Sequence, residues 1–492
     1  MKRLSRDKFH PSLGGYWMRF RLGCLVLQIS LALATIAAST LGQEPPKPDL
    51  AKVQGEAAGW LADLLRIQTV NPPGNELAAA RYLAGVLEKE GIQAEVLESA
   101  PERGVVVARL RSSAVPDPSR ALLLLGHIDT VGVQKEKWSV DPFGAVIKEG
   151  YLYGRGAIDD KGMVIANLAV VVALKRAGVR LDRDVIFLAE GDEEERGEFG
   201  MDFVINKHWD KIAAGFAINE GGRVKVKDGK VQYVGVQASE KIPVNVQVVA
   251  SGPSGHGSQP RKDNPVLHLA AAVAKIGAYQ GPARPSAIVR RYFEQLAKIE
   301  DPDTAKWMRA LEQPERTEHA ARVLSEASPM WNSMLRNSIA PTMLRAGIRP
   351  NVVPSEARAT LNIRLLPGDL ISELMAELTK LVDDQQIRFE VEPALRQPAP
   401  PSSIDGELYH TIERASATVF PEAVVLPFLS TGATDSAQLR LRNVQAYGLL
   451  PFPMADEDDR RMHADDERIP LEAFRKGIEF LYRVVEEFTR AK

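Results

Sequence analysis

Four short apolar runs, residues 105–110, 121–125, 185–189 and 216–218, set the strongest limit on how this chain folds. Each is too short for a helix and almost wholly apolar, so each predicts a strand buried on both faces. Helical spacing fills the intervals between them. Val53, Ala57, Trp60, Leu61, Leu64 and Leu65 recur on one face, and residues 76–90 and 164–177 carry helical patterns. Buried strands alternating with helices predict a mainly parallel sheet in an α/β domain, with helices on both faces.

The texture changes near residue 240. Ile242, Val244, Val246 and Val248 alternate with other residues, and Ala357, Ala359, Leu361 and Ile363 alternate with Arg358, Thr360, Asn362 and Arg364. Strict alternation predicts antiparallel strands with one exposed face. Asn264-Pro265 opens a helix as cap plus first-turn proline, and residues 370–382 form a second helical pattern. The middle of the chain thus predicts an inserted α+β domain of two helices on an antiparallel sheet. Residues 284–336 are charged and helix-prone, and read as an insertion within it. Arg396-Gln-Pro-Ala-Pro-Pro-Ser-Ser403 marks its exit, and a helix over 471–489 closes the chain. With 492 residues, more than one core is expected. The predicted plan is a signal segment over 1–43, an α/β domain over 44–240 and 396–492, and the inserted domain over 241–395.

The first stretch predicts export. Lys2, Arg3, Arg6, Lys8, Arg19 and Arg21 precede an apolar run over 22–38, followed by small residues and Glu44-Pro45-Pro46. That order is a secretory signal peptide; a retained membrane anchor is the other reading. Ala37-Ala38-Ser39 favours cleavage within 37–43, leaving a periplasmic or secreted protein without stable membrane association. The sole cysteine, Cys24, lies inside the apolar run. The processed chain then has no disulfide, and any metal must be held by His and carboxylate alone. An apolar fraction of 45%, a formal charge of -2 and the lack of a basic stripe argue against a nucleic-acid partner.

The expected strand ends carry the chemistry, as the edges of open α/β sheets do. Residues 121–125 run into Gly126-His127-Ile128-Asp129, where Asp129 is placed to orient the His127 ring. A glycine-bounded loop follows with Asp159-Asp160, where a helix cap is the plainer reading of Asp159. After 185–189 comes Asp192-Glu193-Glu194-Glu195, which out of context is a solvated turn. Asn219-Glu220-Gly221-Gly222 follows 216–218, and His463 stands far along the chain. Two histidines and three or more carboxylates at one sheet edge suit two divalent ions sharing a carboxylate, zinc above others because imidazole is present.

In order, the motifs are Gly-His127-x-Asp-Thr-Val, Gly-Arg-Gly-x-x-Asp159-x-Lys-Gly, Glu-Glu195-x-Gly, Asn-Glu220-Gly-Gly, Gly-His256-Gly-Ser and His463-x-x-Asp-Glu. This series resembles the dinuclear zinc metallopeptidase family of glutamate carboxypeptidase, aminoacylase, succinyl-diaminopimelate desuccinylase and carnosinase. It is most similar to the carboxypeptidase S branch, and the likeness runs from Thr69-Val-Asn-Pro-Pro-Gly-Asn-Glu76 to the final helix. The resemblance implies that Asp159 bridges two Zn2+ (Co2+ or Mn2+ being substitutes), with a cis peptide after it. It implies His127 and Glu220 on one ion, Glu195 and His463 on the other, and Glu194 as general base, with Glu193-Glu194 the rival register. Asp129 would orient His127. His256 would reach a partner subunit's site and stabilise the oxyanion, in a homodimer built through the inserted lid domain. Asn351 and Arg364 would hold the substrate carbonyl and carboxylate, and Gly432 would meet substrate through its backbone. The implied activity is cleavage of the amide bond of a small peptide or N-acyl amino acid with a free carboxylate. An aminoacylase, deacylase or aminopeptidase acting on another small amide is the alternative, and a non-catalytic binding protein the remote one.

Overall fold

In the computed structural model, residues 48–394 and 396–491 are described; the expected signal segment lies outside them. The apolar runs become strands with boundaries shifted by a residue or two. In chain order the strands are β1 (Ala94–Ala100), β2 (Arg103–Leu110), β3 (Leu122–His127), β4 (Val185–Glu190), β5 (Phe216–Asn219), β6 (Arg223–Lys227) and β7 (Lys230–Glu240). The chain then makes an antiparallel sheet of β8 (Ile242–Ser251), β9 (Ser338–Ala346), β10 (Glu356–Leu365) and β11 (Ile387–Val391). It returns as β12 (Val424–Ser430), β13 (Gln445–Gly448) and β14 (Pro453–Met454).

The large sheet has ten strands in the order β1-β2-β4-β3-β5-β13-β7-β6-β14, with β12 beside β7. Its centre is parallel: β3 pairs β4 and β5, and β5 pairs β13. The β1–β2–β4 flank is antiparallel. Alternate side chains divide between two cores, as the two-residue strand period requires. Leu122, Leu124, Val185 and Phe187 pack with α1 (Leu50–Arg66), α2 (Glu76–Lys89), α3 (Lys161–Arg176) and the C-terminal helix Leu471–Thr489. Leu123, Leu125, Ile186 and Leu188 face the other way, against Met201, Val204 and Leu439. Helix α3 is buried from Lys161 to Leu174. That is why its sequence is apolar all round rather than on one stripe.

The antiparallel sheet runs β9-β10-β8-β11, with Val246 opposite Leu361. Its inward residues pack under α4 (Pro265–Gly277) and α5 (Ile371–Val382), while Asn245, Gln247, Thr360 and Asn362 stay half-buried on the other face. The Asn264 side chain caps α4 by accepting from the Val266 amide.

Residues 284–336 do form helices, Ala287–Leu296, Pro302–Ala310, Thr317–Ala327 and Pro329–Leu335, but they join a different core from the expected one. Ile288, Val289, Tyr292 and Phe293 belong to the cluster of the large sheet, and the Tyr292 ring lies 6.0 Å from that of Phe428 on β12. The helix Ala287–Leu296 packs on β12. Lys241, buried where β7 gives way to β8, donates to the carbonyls of Ser333 and Arg336, each at 2.8 Å. No helix among the described residues is long and apolar enough to cross a membrane.

Candidate metal centre

The C-terminal ends of β3, β4 and β5 open onto one edge, where open α/β sheets place their sites. Strand β3 ends on His127. A Cβ at Gly126 would lie 2.7 Å from an Asp160 carboxylate oxygen, so the strand passes under that loop only as glycine. The His127 ring is buried between two carboxylates. Its Nδ1 lies 3.3 Å from Asp129 Oδ1, and its Nε2 lies 3.0 Å from Asp159 Oδ1.

The Asp159–Asp160 peptide is cis. Asp159 also lies 3.1 Å from His463 Nε2, which is itself 3.1 Å from Glu194. Ligand atoms of His127, Asp159 and Glu194 stand within 4.8 Å of one another, as do those of His127, Glu193 and Glu220. His127, Asp159, Glu220 and His463 thus lie together in the structure.

The acidic run needs a correction. Glu195 is exposed and enters neither group, whereas Glu193 and Glu194 both point in. The cause is the backbone at Asp192, whose φ of 69° turns the chain at the end of β4. The Glu193 and Glu194 amides then donate to Asp129 at 3.3 and 3.2 Å, and this delivers their side chains to the cluster. Glu194 stands beside His463, where Glu195 was expected, and Glu193 stands with His127 and Glu220.

His256 and Asn351 lie together. The short ribbon of Gly255–His256 with Val352–Val353 holds them, and the Gly257 amide donates to the Asn351 carbonyl at 2.8 Å. His256 is exposed, with Nδ1 2.7 Å from the Ser258 hydroxyl. Arg364, near the end of β10, is half-buried and makes no ion pair with any described residue. Gly432 is exposed on the loop after β12, its amide donating to Ser430 Oγ.

Several supporting residues were not singled out in the sequence. Glu467 is fully buried and accepts from the Gly156, Ile158 and Asp159 amides and from Arg155, at 3.0, 2.8, 3.2 and 2.7 Å. It lies in the late His463-x-x-Asp-Glu motif, which was the one signal for it. Arg396, on the exit segment, pairs with Asp435 at 2.6 Å and Glu193 at 3.2 Å. A lone arginine in a proline-rich linker carries no such signal.

Crowded acids dominate the electrostatics. Burial and then the Glu193 charge push Glu220 well above the usual carboxylate range. Glu193 is raised likewise, by burial and then Asp435. Burial acts to raise Asp159 too, but hydrogen bonds from His127 and His463 hold it far below its ordinary value. A set of imidazoles and carboxylates, buried or half-buried except for His463, in which burial and neighbouring charge force Glu193 and Glu220 toward their neutral forms, suits divalent cations.

His463 is pushed up to about 10 by its contacts with Asp159 and Glu194. Below that pH the metal-free protein carries a proton on His463, which a cation must displace. Metal affinity is therefore expected to rise with pH, by up to about tenfold per unit, and binding to release protons. Calorimetry in two buffers of different ionisation enthalpy measures that release. A pH-independent affinity without proton release between about pH 6 and 9 would show that His463 is not a ligand.

A family model described as Peptidase family M20/M25/M40 matches residues 123–487. The N-fatty-acyl-amino acid synthase/hydrolase PM20D1 of Homo sapiens is 31% identical over 382 residues, which cover 75% of this chain and 74% of that protein. Aminoacylase-1B of Rattus norvegicus is 27% identical over 430 residues, covering 86% and 92% respectively. Among solved structures, the M20 family metallo-carboxypeptidase Sso-CP2 from Sulfolobus solfataricus has a TM-score of 0.68 at 21% identity. That match covers 88% of this chain and 99% of that one, a likeness of fold.

Proposed function

Because the chain belongs to peptidase family M20/M25/M40, we propose that it is a zinc-dependent hydrolase of the amide bond in small peptides or N-acyl amino acids bearing a free carboxylate. The observation that carries this reading is the convergence of His127, Asp159, Glu194 and His463 with Glu193 and Glu220. Asp159, within reach of both imidazoles, would serve both ions. His127 and Glu220 would hold one ion, and Glu194 and His463 the other. Zinc suits imidazole and carboxylate donors, with Co2+ and Mn2+ as competitors. When bound, two such ions lower the pKa of a shared water and polarise the scissile carbonyl.

The remaining work belongs to the protein's own groups. Glu193 takes a proton from the attacking water and passes it to the leaving amine. Asp129 holds the His127 ring in orientation. Arg364, with no carboxylate of its own, suits the substrate's carboxylate through two parallel hydrogen bonds. Asn351 binds the substrate carbonyl, and Gly432 meets the substrate through its backbone. His256 serves the partner subunit's site as an oxyanion donor. This asks for a homodimer, and the antiparallel sheet offers a surface for one: edge strand β9 exposes Met343 and Leu344, and neighbouring α4 exposes Leu267. The basic and apolar order of the first 43 residues supports export. An aminoacylase-type preference is the second reading, favoured by the match to aminoacylase-1B.

Hydrolysis of a panel of N-acyl amino acids, dipeptides and their C-terminal amides, with and without chelator, tests the proposal. Release of the amino acid is expected from free-carboxylate substrates and should stop on chelation. Equal turnover of the amides would remove the carboxylate requirement, and no turnover of any substrate with added zinc would remove the function. A monomeric mass in sedimentation equilibrium would count against the shared site.

A further inference from the structure

A continuous buried network joins the start of α2 to the metal centre. Glu76 accepts from Arg103 Nε at 2.6 Å and Nη2 at 2.8 Å. The same Nη2 donates to Asp192 Oδ1 at 2.9 Å, and the guanidinium lies 4.9 Å over the Phe199 ring. Asn71 Nδ2 donates at 2.9 Å to that Asp192 oxygen and at 2.9 Å to Asp129 Oδ2. Every polar member is less than a tenth exposed.

None of Asn71, Arg103 and Asp192 enters the His and carboxylate groups themselves. Their effect reaches the site through two things they hold. One is the Asp129 carboxylate beside His127 Nδ1, and the other is the turn at Asp192 that presents Glu193 and Glu194. A left-handed backbone is tolerated at aspartate but not favoured, so it persists where the surroundings enforce it. Three donors do so here, from Arg103, Asn71 and the Phe199 amide at 3.2 Å. The Asn71 amide nitrogen carries two hydrogens and no charge. It therefore spans two carboxylates at a fixed separation, which a hydroxyl cannot do with its single hydrogen.

We infer that Asn71 is a positioning residue of the metal centre, setting at once the carboxylate that orients His127 and the turn that carries Glu193 and Glu194, with Arg103 and Glu76 as its backing. This rests on the reading of the cluster as a divalent-ion site. The partners are buried and hydrogen-bonded, so loss of the bridge leaves them to find other pairings near the ligands.

The test uses Asn71→Ala, with Asn71→Ser as the milder variant that keeps one donor. Zinc alone is the probe, titrated into metal-free full-length protein in competition with a chromophoric chelator. Asn71→Ala is expected to weaken zinc binding and lower kcat by about 10- to 100-fold each with KM little changed. Asn71→Ser should fall between it and wild type, and serves as the readout if the alanine variant does not fold. A purely structural role would lower the melting temperature of the metal-free protein and leave zinc affinity alone, and that result overturns the inference while the hydrolase reading stands. Failure of the wild type to bind zinc overturns both.

Discussion

Glu193→Gln is expected to retain zinc and fold while kcat falls by about 100- to 10,000-fold, the range that a general base contributes. The amide has the size of the carboxylate but cannot accept the water's proton. In the proposed mechanism its position makes this glutamate, and not a neighbour, the base. Glu194 lies beside His463 and Glu195 points to solvent, whereas Glu193 meets the cluster from the Arg396 side. Three parallel variants separate the roles. Glu194→Gln should lose zinc affinity as well as turnover, because it removes a ligand. Glu195→Gln should match wild type in both, since an exposed side chain outside the cluster holds nothing in place. Wild-type kcat in Glu193→Gln, or loss of zinc affinity in Glu195→Gln, would restore the register read from spacing. Single-turnover assays with metal content measured on the same samples decide between them.

Much of the fold was legible because burial on both faces leaves an unmistakable composition. Strands β3 and β4 lie between two cores, and so read as apolar runs in sequence. The alternation in β8 and β10 was equally direct, since one face packs under helices and the other stays half-buried. Strand β12 was missed because its partner is distant in sequence: it adds to β7 across nearly two hundred positions, and the helix Ala287–Leu296 that packs on it lies between. The site followed the same division. Glycine-framed His127, Asp159 and Glu220 were visible at strand ends. Three consecutive glutamates were not separable by spacing, because the choice depends on one left-handed residue, Asp192. Asn71 lies in the Thr69–Glu76 segment of the family likeness, which assigned it no role, and Arg103 carries no local signal; they meet Asp192 only through contacts 121 and 89 positions apart.

Glu467→Ala is the substitution expected to damage the protein most. In the folded chain this carboxylate is fully buried and serves four donors: the amides of Gly156, Ile158 and Asp159, and the Arg155 guanidinium. The Arg155 side chain is only 3% exposed, so its charge depends on Glu467 for compensation. Burial raises the Glu467 pKa while Arg155 lowers it, which marks a pair held against a desolvation cost. Removing one partner of such a pair leaves an uncompensated buried charge, at a cost of about 3–5 kcal/mol. Three amides lose their acceptor as well, and they belong to the loop that ends in Asp159. Loss of stability and loss of metal affinity should therefore appear together, in contrast to Glu193→Gln, where turnover falls alone. Glu467→Gln retains the volume and one acceptor oxygen but not the charge, and should lie between alanine and wild type in denaturant midpoint. An alanine variant with an unchanged midpoint and full zinc occupancy would mean that the Gly156–Asp159 loop is held by its own backbone, and that Glu467 contributes little.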